Sequence, residues 1–234
     1  MENELLYNQK ELSITVSKVM KNVFLLMTLA LVVTGYTSYI IMNNEEIFFK
    51  LVSNTPLFIG LCIAEVVMVI AISAGINKLS FNIAMILFGL YSVVSGVTLA
   101  PLCFMYTEES IISTFFITAA TFGSMALLGY TTKKDLSGIG KILIMGLIGI
   151  IIASIVNIFT KSSGLAMIIN YVGVLIFVGL TAYDTQKIKQ FTEKSIATGN
   201  EANIPKLSVI GALTLYLDFI NLFIKLLQIM GKKK

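Results

Sequence analysis

The sequence predicts an all-α membrane protein of seven transmembrane helices, and three observations predict it. Only 13% of the residues are charged while 56% are hydrophobic, whereas soluble domains carry about a quarter charged residues. The apolar residues come in seven unbroken blocks, none of which alternates with polar residues. Each block is about 18–24 residues long, and about 20 residues of helix cross a hydrocarbon core of about 30 Å. A barrel strand needs only about 10 residues, in alternation, so strands are excluded. The mean hydropathy of +0.89 agrees.

Residues 1–21 form a polar N-terminal segment without the short apolar core and small-residue cleavage site of a signal peptide. The transmembrane domain follows at 22–230, with blocks at 22–42, 57–76, 83–105, 111–130, 142–159, 165–183 and 207–230, and a basic tail at 231–234. Pro101 should kink or end the third helix. The sixth helix is expected to run on to about Gln190, inside a long polar connection over 184–206. Spaced small residues, Ala119 with Gly123 and Gly149 with Ala153, are read as helix-packing positions.

Lysine placement gives the orientation. With the N-terminus inside, the inner segments hold eleven lysines and the outer loops two, Lys50 and Lys161; basic residues concentrate on the cytoplasmic side. The tail Lys232, Lys233 and Lys234 runs against the rule, since seven full spans put it outside. The predicted location is therefore a cell membrane, with the lipid bilayer as first partner. Nucleic acid is not a partner, because the lysines of this +4 chain lie at block edges.

All seventeen basic residues are lysine, and the chain has no histidine. That removes Ser–His and Cys–His catalysis, His-ligated zinc and the imidazole pH switch together. Gly123-Ser124 in an apolar span invites an intramembrane hydrolase, but nothing is there to activate the serine. Lys225 in the last span sits too near its end for a retinal-type pigment. The protein is expected not to be an enzyme and to hold no permanent cofactor. Cys62 and Cys103 lie in apolar blocks and read as inert thiols.

Three of the thirteen acidic residues lie inside spans: Glu65, Asp184 and Asp218. A bare charge near the midplane costs at least about 2.5–3.5 kcal/mol, so such residues are paired, protonated or water-lined, and functional by default. The last block carries Gly211, Thr214, Asp218, Asn221, Lys225 and Gln228 at alternating spacings of three and four, hence on one stripe. The sixth carries Asn170, Gly173, Phe177, Thr181 and Asp184. Polar stripes on apolar helices must face a bundle interior or a watery cavity. Two carboxyls close together in low dielectric do not readily both ionise, so such a pair titrates in macroscopic steps. Carboxylates are also the ligands that hard cations such as Ca²⁺ prefer. Asp184, Asp218 and Glu65 are thus the candidate metal ligands, and Glu65, Asn221, Thr214 and Thr181 the candidate ion pathway.

Three strings carry a resemblance: STFFITAATFGSMALLGYTTKKDLSGIGK at 113–141, GVLIFVGLTAYDTQKIKQ at 173–190 and LYLDFINLF at 215–223. From about Ile72 to the C-terminus the chain resembles the bacterial members of the Bax inhibitor family, the first span more loosely. The resemblance implies seven helices with the last central and wrapped by the other six. It implies a pH-sensitive Ca²⁺ leak gated by an aspartate pair, which falls on Asp184 and Asp218, and an acid in the second span, for which Glu65 is the candidate. It also implies an alternative: a membrane-embedded regulator of a partner such as a membrane protease or a stress and cell-death pathway, with no flux of its own. Many relatives carry an arginine near the inner end of the second span that can pair with the sixth-helix aspartate. Here Gly75 stands there, and Lys78, three residues on, is the candidate latch, though a lysine lacks the planar fork. The oligomeric state is open, a monomer included.

Overall fold

The computed structural model describes residues 2–76, 78–200 and 204–234. The described residues form eight helices: α1 (Glu2–Asn43), α2 (Glu45–Ser53), α3 (Thr55–Gly75), α4 (Phe81–Phe104), α5 (Glu108–Thr131), α6 (Ser137–Thr160), α7 (Ser163–Ala197) and α8 (Ile204–Met230). Seven of them are long and apolar enough to cross a membrane. They match the seven blocks read from the sequence. The eighth, α2, is too short and too amphipathic to span. Asn44 accepts from Ile47 N at its start, Phe48 and Leu51 are its buried residues, and Asn54 closes it while capping α3 through Leu57 N.

Pro101 lies inside α4, which ends three residues later at Phe104. α7 runs past Gln190 to Ala197, because Ile188 and Thr192 continue its buried face while polar residues take the other. It stops at Gly199, whose φ of +69° suits a residue without a Cβ, with Asn200 N donating to Ser195 O at 2.9 Å. The long polar connection is thus mostly helix.

The chain divides into two compact units. The first is Met1–Met105 with Ile188–Tyr216. In it α1 buries Val16, Val19, Met20, Val23, Met27, Ala30 and Thr34, spaced by three and four along one stripe. α4 answers with Ala84, Phe88, Tyr91, Ser92, Ser95, Gly96 and Leu99. The backbones meet at Gly96, where a Cβ would fall 2.7 Å from Thr37 Cβ. Tyr216 of α8 is fully buried, edge-on to Phe88 and Tyr91. α3 stands apart in having Ile72 as its one buried residue, with Ile59, Ile63, Val66, Val67 and Ile70 exposed for lipid.

The second unit is Tyr106–Lys187 with Leu217–Lys234. Phe219 of α8 packs against Phe115 and Phe122 of α5, with ring centroids 5.6 and 5.5 Å apart. Gly129 of α5 lies so close to Ala182 of α7 that a Cβ would strike its carbonyl. The tail is tied down: Lys232 N donates to Ser110 Oγ at 2.9 Å and Thr107 N to Lys232 O at 3.0 Å.

The small-residue pairs read from the sequence do not do this packing. A Cβ on Gly123 or Gly149 would meet nothing within 4 Å. The close approaches fall on Gly96 and Gly129 instead. A small residue marks an interface only when its face of the helix meets another helix, and small residues recur on lipid faces too.

Gly129→Ala should destabilise the protein by about 1–3 kcal/mol, the usual cost of forcing extra volume into a tight contact. Gly123→Ala should be near neutral. Unfolding of both variants in detergent checks this; equal stabilities would refute the close packing at Gly129.

Candidate functional site

The Leu180–Gln186 stretch of α7 turns consecutive residues to different partners. Tyr183 packs on Gly140, where a Cβ would clash with its ring. Thr181 and Thr185 are fully buried, and each donates its hydroxyl four residues back, to Phe177 O at 2.8 Å and Thr181 O at 2.7 Å. Gln186 reaches the α5–α6 connection. Its Nε2 donates to Lys134 O at 2.8 Å, and its Oε1 accepts from Leu136 N at 2.8 Å. Within that connection Asp135 accepts from Ser137 N at 2.9 Å, at the exposed start of α6. The Ser137 hydroxyl first, and then this backbone N–H, hold the Asp135 carboxyl below its usual range. A depressed carboxyl adds stability that is complete above its unfolded-state value and lost as pH falls through the folded one, so this contact weakens only in acid.

Asp184 follows Tyr183 and is mostly buried. Asp218 of α8 is 4% exposed and lies within electrostatic reach of Asp184. Among the described residues nothing hydrogen-bonds to Asp218 Oδ2. A buried carboxyl oxygen without a donor is costly. The polar stripes converge again further along: Lys225 Nζ donates to Asn170 Oδ1 at 3.4 Å, and the Lys225 stem lies over Gly173. Asn221 turns its Nδ2 to Leu217 O at 2.8 Å. Thr214 is half-buried on the first unit's part of α8.

Glu65 belongs to the first unit, where Thr98 Oγ1 donates to its Oε1 at 2.9 Å. Lys78 is exposed in the turn after α3, its backbone N donating to Gly75 O at 2.8 Å. Among the described residues no group of three or more His, Cys, Asp or Glu side chains gathers as a metal site. Neither cysteine is in a disulfide.

The sequence reading missed Gln186, Thr98, Tyr216 and Thr34. Thr34 Oγ1 bonds Tyr216 Oη at 2.7 Å and donates to Ser92 O at 2.8 Å. A signal was there: Ser92, Ser95 and Thr98 recur every three residues on an otherwise apolar span.

Seven long apolar helices with carboxyls buried between them define a polytopic α-helical membrane protein. The family profile described as "Inhibitor of apoptosis-promoting Bax1" matches residues 16–234, and the chain belongs to this Bax inhibitor family. The match takes in the first span as well as the strings that carried the resemblance. Among relatives, the chain is 48% identical to the inner membrane protein YbhL of Escherichia coli strain K12, over 92% of each chain. It is 43% identical to an uncharacterized protein of Borreliella burgdorferi, over 98% of each. It is 32% identical to an uncharacterized membrane protein of Streptococcus pyogenes serotype M1, over 99% of each.

Gln186→Leu keeps much of the volume and leaves Lys134 O and Leu136 N unpaired. It should cost about 1–3 kcal/mol and speed amide hydrogen exchange over 132–136. Exchange unchanged there would show that the loop is held by something else.

Proposed function

We propose that the protein is a pH-sensitive leak for Ca²⁺ or a similar hard cation in a bacterial cell membrane, gated by Asp184 and Asp218. The observation that carries the reading is Asp218 Oδ2, buried and without a hydrogen-bond donor, on a carboxyl within electrostatic reach of a second one. A shared proton between the two carboxyls satisfies that oxygen and ties α7 to α8. Loss of the proton leaves two like charges in low dielectric, which part or draw in a cation. Glu65, the remaining intramembrane acid, helps admit the ion, with Asn221, Thr214 and Thr181 along the path and Ca²⁺ as cargo rather than resident cofactor. The N-terminus is cytoplasmic on the lysine count. Lys78, three residues beyond the position at which many relatives carry an arginine, is the latch candidate. A membrane-protein partner regulated without flux is the alternative.

Reconstituted, purified protein should pass Ca²⁺ with a rate that depends on pH. Asp184→Asn and Asp218→Asn should each flatten that dependence, and the double variant should be little worse than either, as for a pair acting as one unit. Simple additivity of the two effects would sink the shared proton, and no flux at all would favour the partner-regulating alternative. Glu65→Gln should lower flux in a folded protein; unchanged flux would leave Glu65 a structural role. Cysteines placed in the 133–141 and 184–206 connections should escape impermeant reagents in intact cells, and labelling of either would reverse the orientation.

A further inference from the structure

Within the second unit α7 and α8 run antiparallel, since Asp184 lies near Asp218 and Asn170 near Lys225. Lys225 is half-buried, five residues before the end of α8. Its stem lies over Gly173, where a Cβ would fall 3.2 Å from Lys225 Cγ and Cδ and 3.3 Å from its Cε. Its Nζ then reaches Asn170 Oδ1 at 3.4 Å. From Gly173 to Asn170 is a step towards the start of α7. The ammonium is therefore turned away from Asp218 and towards the membrane boundary. Long cationic side chains near helix ends turn this way.

A charge taken out of water needs a counter-charge. The acids of the second unit are Glu108, Glu109, Asp135, Asp184 and Asp218. Glu108 and Glu109 are exposed at the start of α5, and Asp135 lies in the connection that Gln186 holds, at the opposite end. Among the described residues none of them pairs with Lys225, whose hydrogen bond goes to a neutral amide.

An ammonium has three N–H donors and no acceptor. One is spent on Asn170 Oδ1, and two remain. Because Lys225 can only donate, the Asn170 oxygen must face it. The NH2 of the same amide stands beside the ammonium, with no acceptor among the described residues. The cluster thus consists of donors and carries one positive charge. It fits an anion with several acceptor oxygens. Near the ends of spanning helices that anion is the phosphate of a phospholipid, and basic pockets between spans take such headgroups. Met167 and Tyr171, exposed beside Asn170, offer the acyl chains an apolar surface.

We propose that Lys225 and Asn170 form a binding site for a phosphate group, filled by a phospholipid headgroup in the leaflet where α7 begins and α8 ends. The phosphate oxygens accept from the two remaining Lys225 protons and from Asn170 Nδ2. Gly173 lets the lysine stem lie against α7 and so holds the ammonium at Asn170. The site does not depend on the aspartate gate.

Native mass spectrometry of the delipidated full chain reads this site without ion flux. The probes are dioleoyl phosphatidylglycerol and dioleoylglycerol, which has the same chains and no phosphate. Phosphatidylglycerol should bind more tightly than dioleoylglycerol. Lys225→Met should weaken it by at least about tenfold, the loss of one hydrogen bond to a charged group, and bring the two lipids level. Lys225→Arg should bind as the unmodified chain does. Gly173→Ala keeps every charge but pushes the stem from its seat, so it should weaken binding as well. Lys50→Gln, on the exposed face of α2, should change nothing. Should Lys225→Met not fold, Gly173→Ala and Asn170→Leu carry the test. Phosphatidylglycerol held equally by the unmodified chain, Gly173→Ala and Asn170→Leu would overturn the proposal. An equal loss in Lys50→Gln would overturn it too, since it would mark diffuse attraction to lysines. Displacement of the lipid by an equal concentration of inorganic phosphate would overturn the headgroup as occupant and give the site to soluble phosphate.

Discussion

Inside hydrocarbon no water is at hand to satisfy a polar group, and the rest of the structure depends on that constraint. Backbone groups meet it by forming helices. Most hydroxyls meet it the same way, by donating to the carbonyl four residues back: Thr28, Thr118, Thr121, Ser124, Thr131, Ser154, Thr185 and Thr192 all do so. Such a hydroxyl is silent towards other helices. The informative polar groups are the few that reach across: Thr34 to Tyr216, Thr98 to Glu65, Gln186 to the α5–α6 connection and Lys225 to Asn170. Asp218 stands outside both sets, with an oxygen that no group among the described residues bonds.

The seven spans were legible because their signal is summed over some twenty residues each and does not depend on partners. The intramembrane acids were legible for a related reason: a charge in an apolar run is costly wherever its neighbours are. The helix-period stripes were half legible. Spacing put Asn170, Gly173 and Lys225 on the correct faces, and they do meet. It also put Thr181 on the polar stripe, and spacing did not tell that its proton goes to Phe177 O of its own helix. Periodicity reports the direction of a side chain and not where its hydrogen bond goes.

What was not legible required knowing which helix faces which. Gly123 and Gly149 have the same spacing to a small neighbour that true interfaces have, yet they open on empty space, while Gly96 and Gly129 make the close contacts. The amphipathic α2 was missed because nine residues give a short periodic signal that sits in a loop between two spans. The continuation of α7 to Ala197 was underestimated because its last turns are polar on the outward face. Helix length there is set by one buried row, Ile188 and Thr192.

The Tyr-Asp-Thr-Gln string shows why a short motif can matter more than its residue types suggest. Successive residues on an α-helix point about 100° apart, so four in a row cover every side of α7. Each side here has its own neighbour: Tyr183 lies on Gly140 of α6, Asp184 lies within reach of Asp218 on α8, Thr185 bonds its own backbone, and Gln186 clamps the connection leading into α6. Rotating α7 to improve one contact would spoil the others. Asp184 is therefore held in azimuth by residues that carry no charge themselves. Tyr183 and Gln186 both anchor to the segment from Lys134 to Gly140, so the aspartate's position is set from that end of the unit. Two strings far apart in sequence, the one ending in Lys141 and the one around Asp184, thus stand together because they are the two halves of one joint.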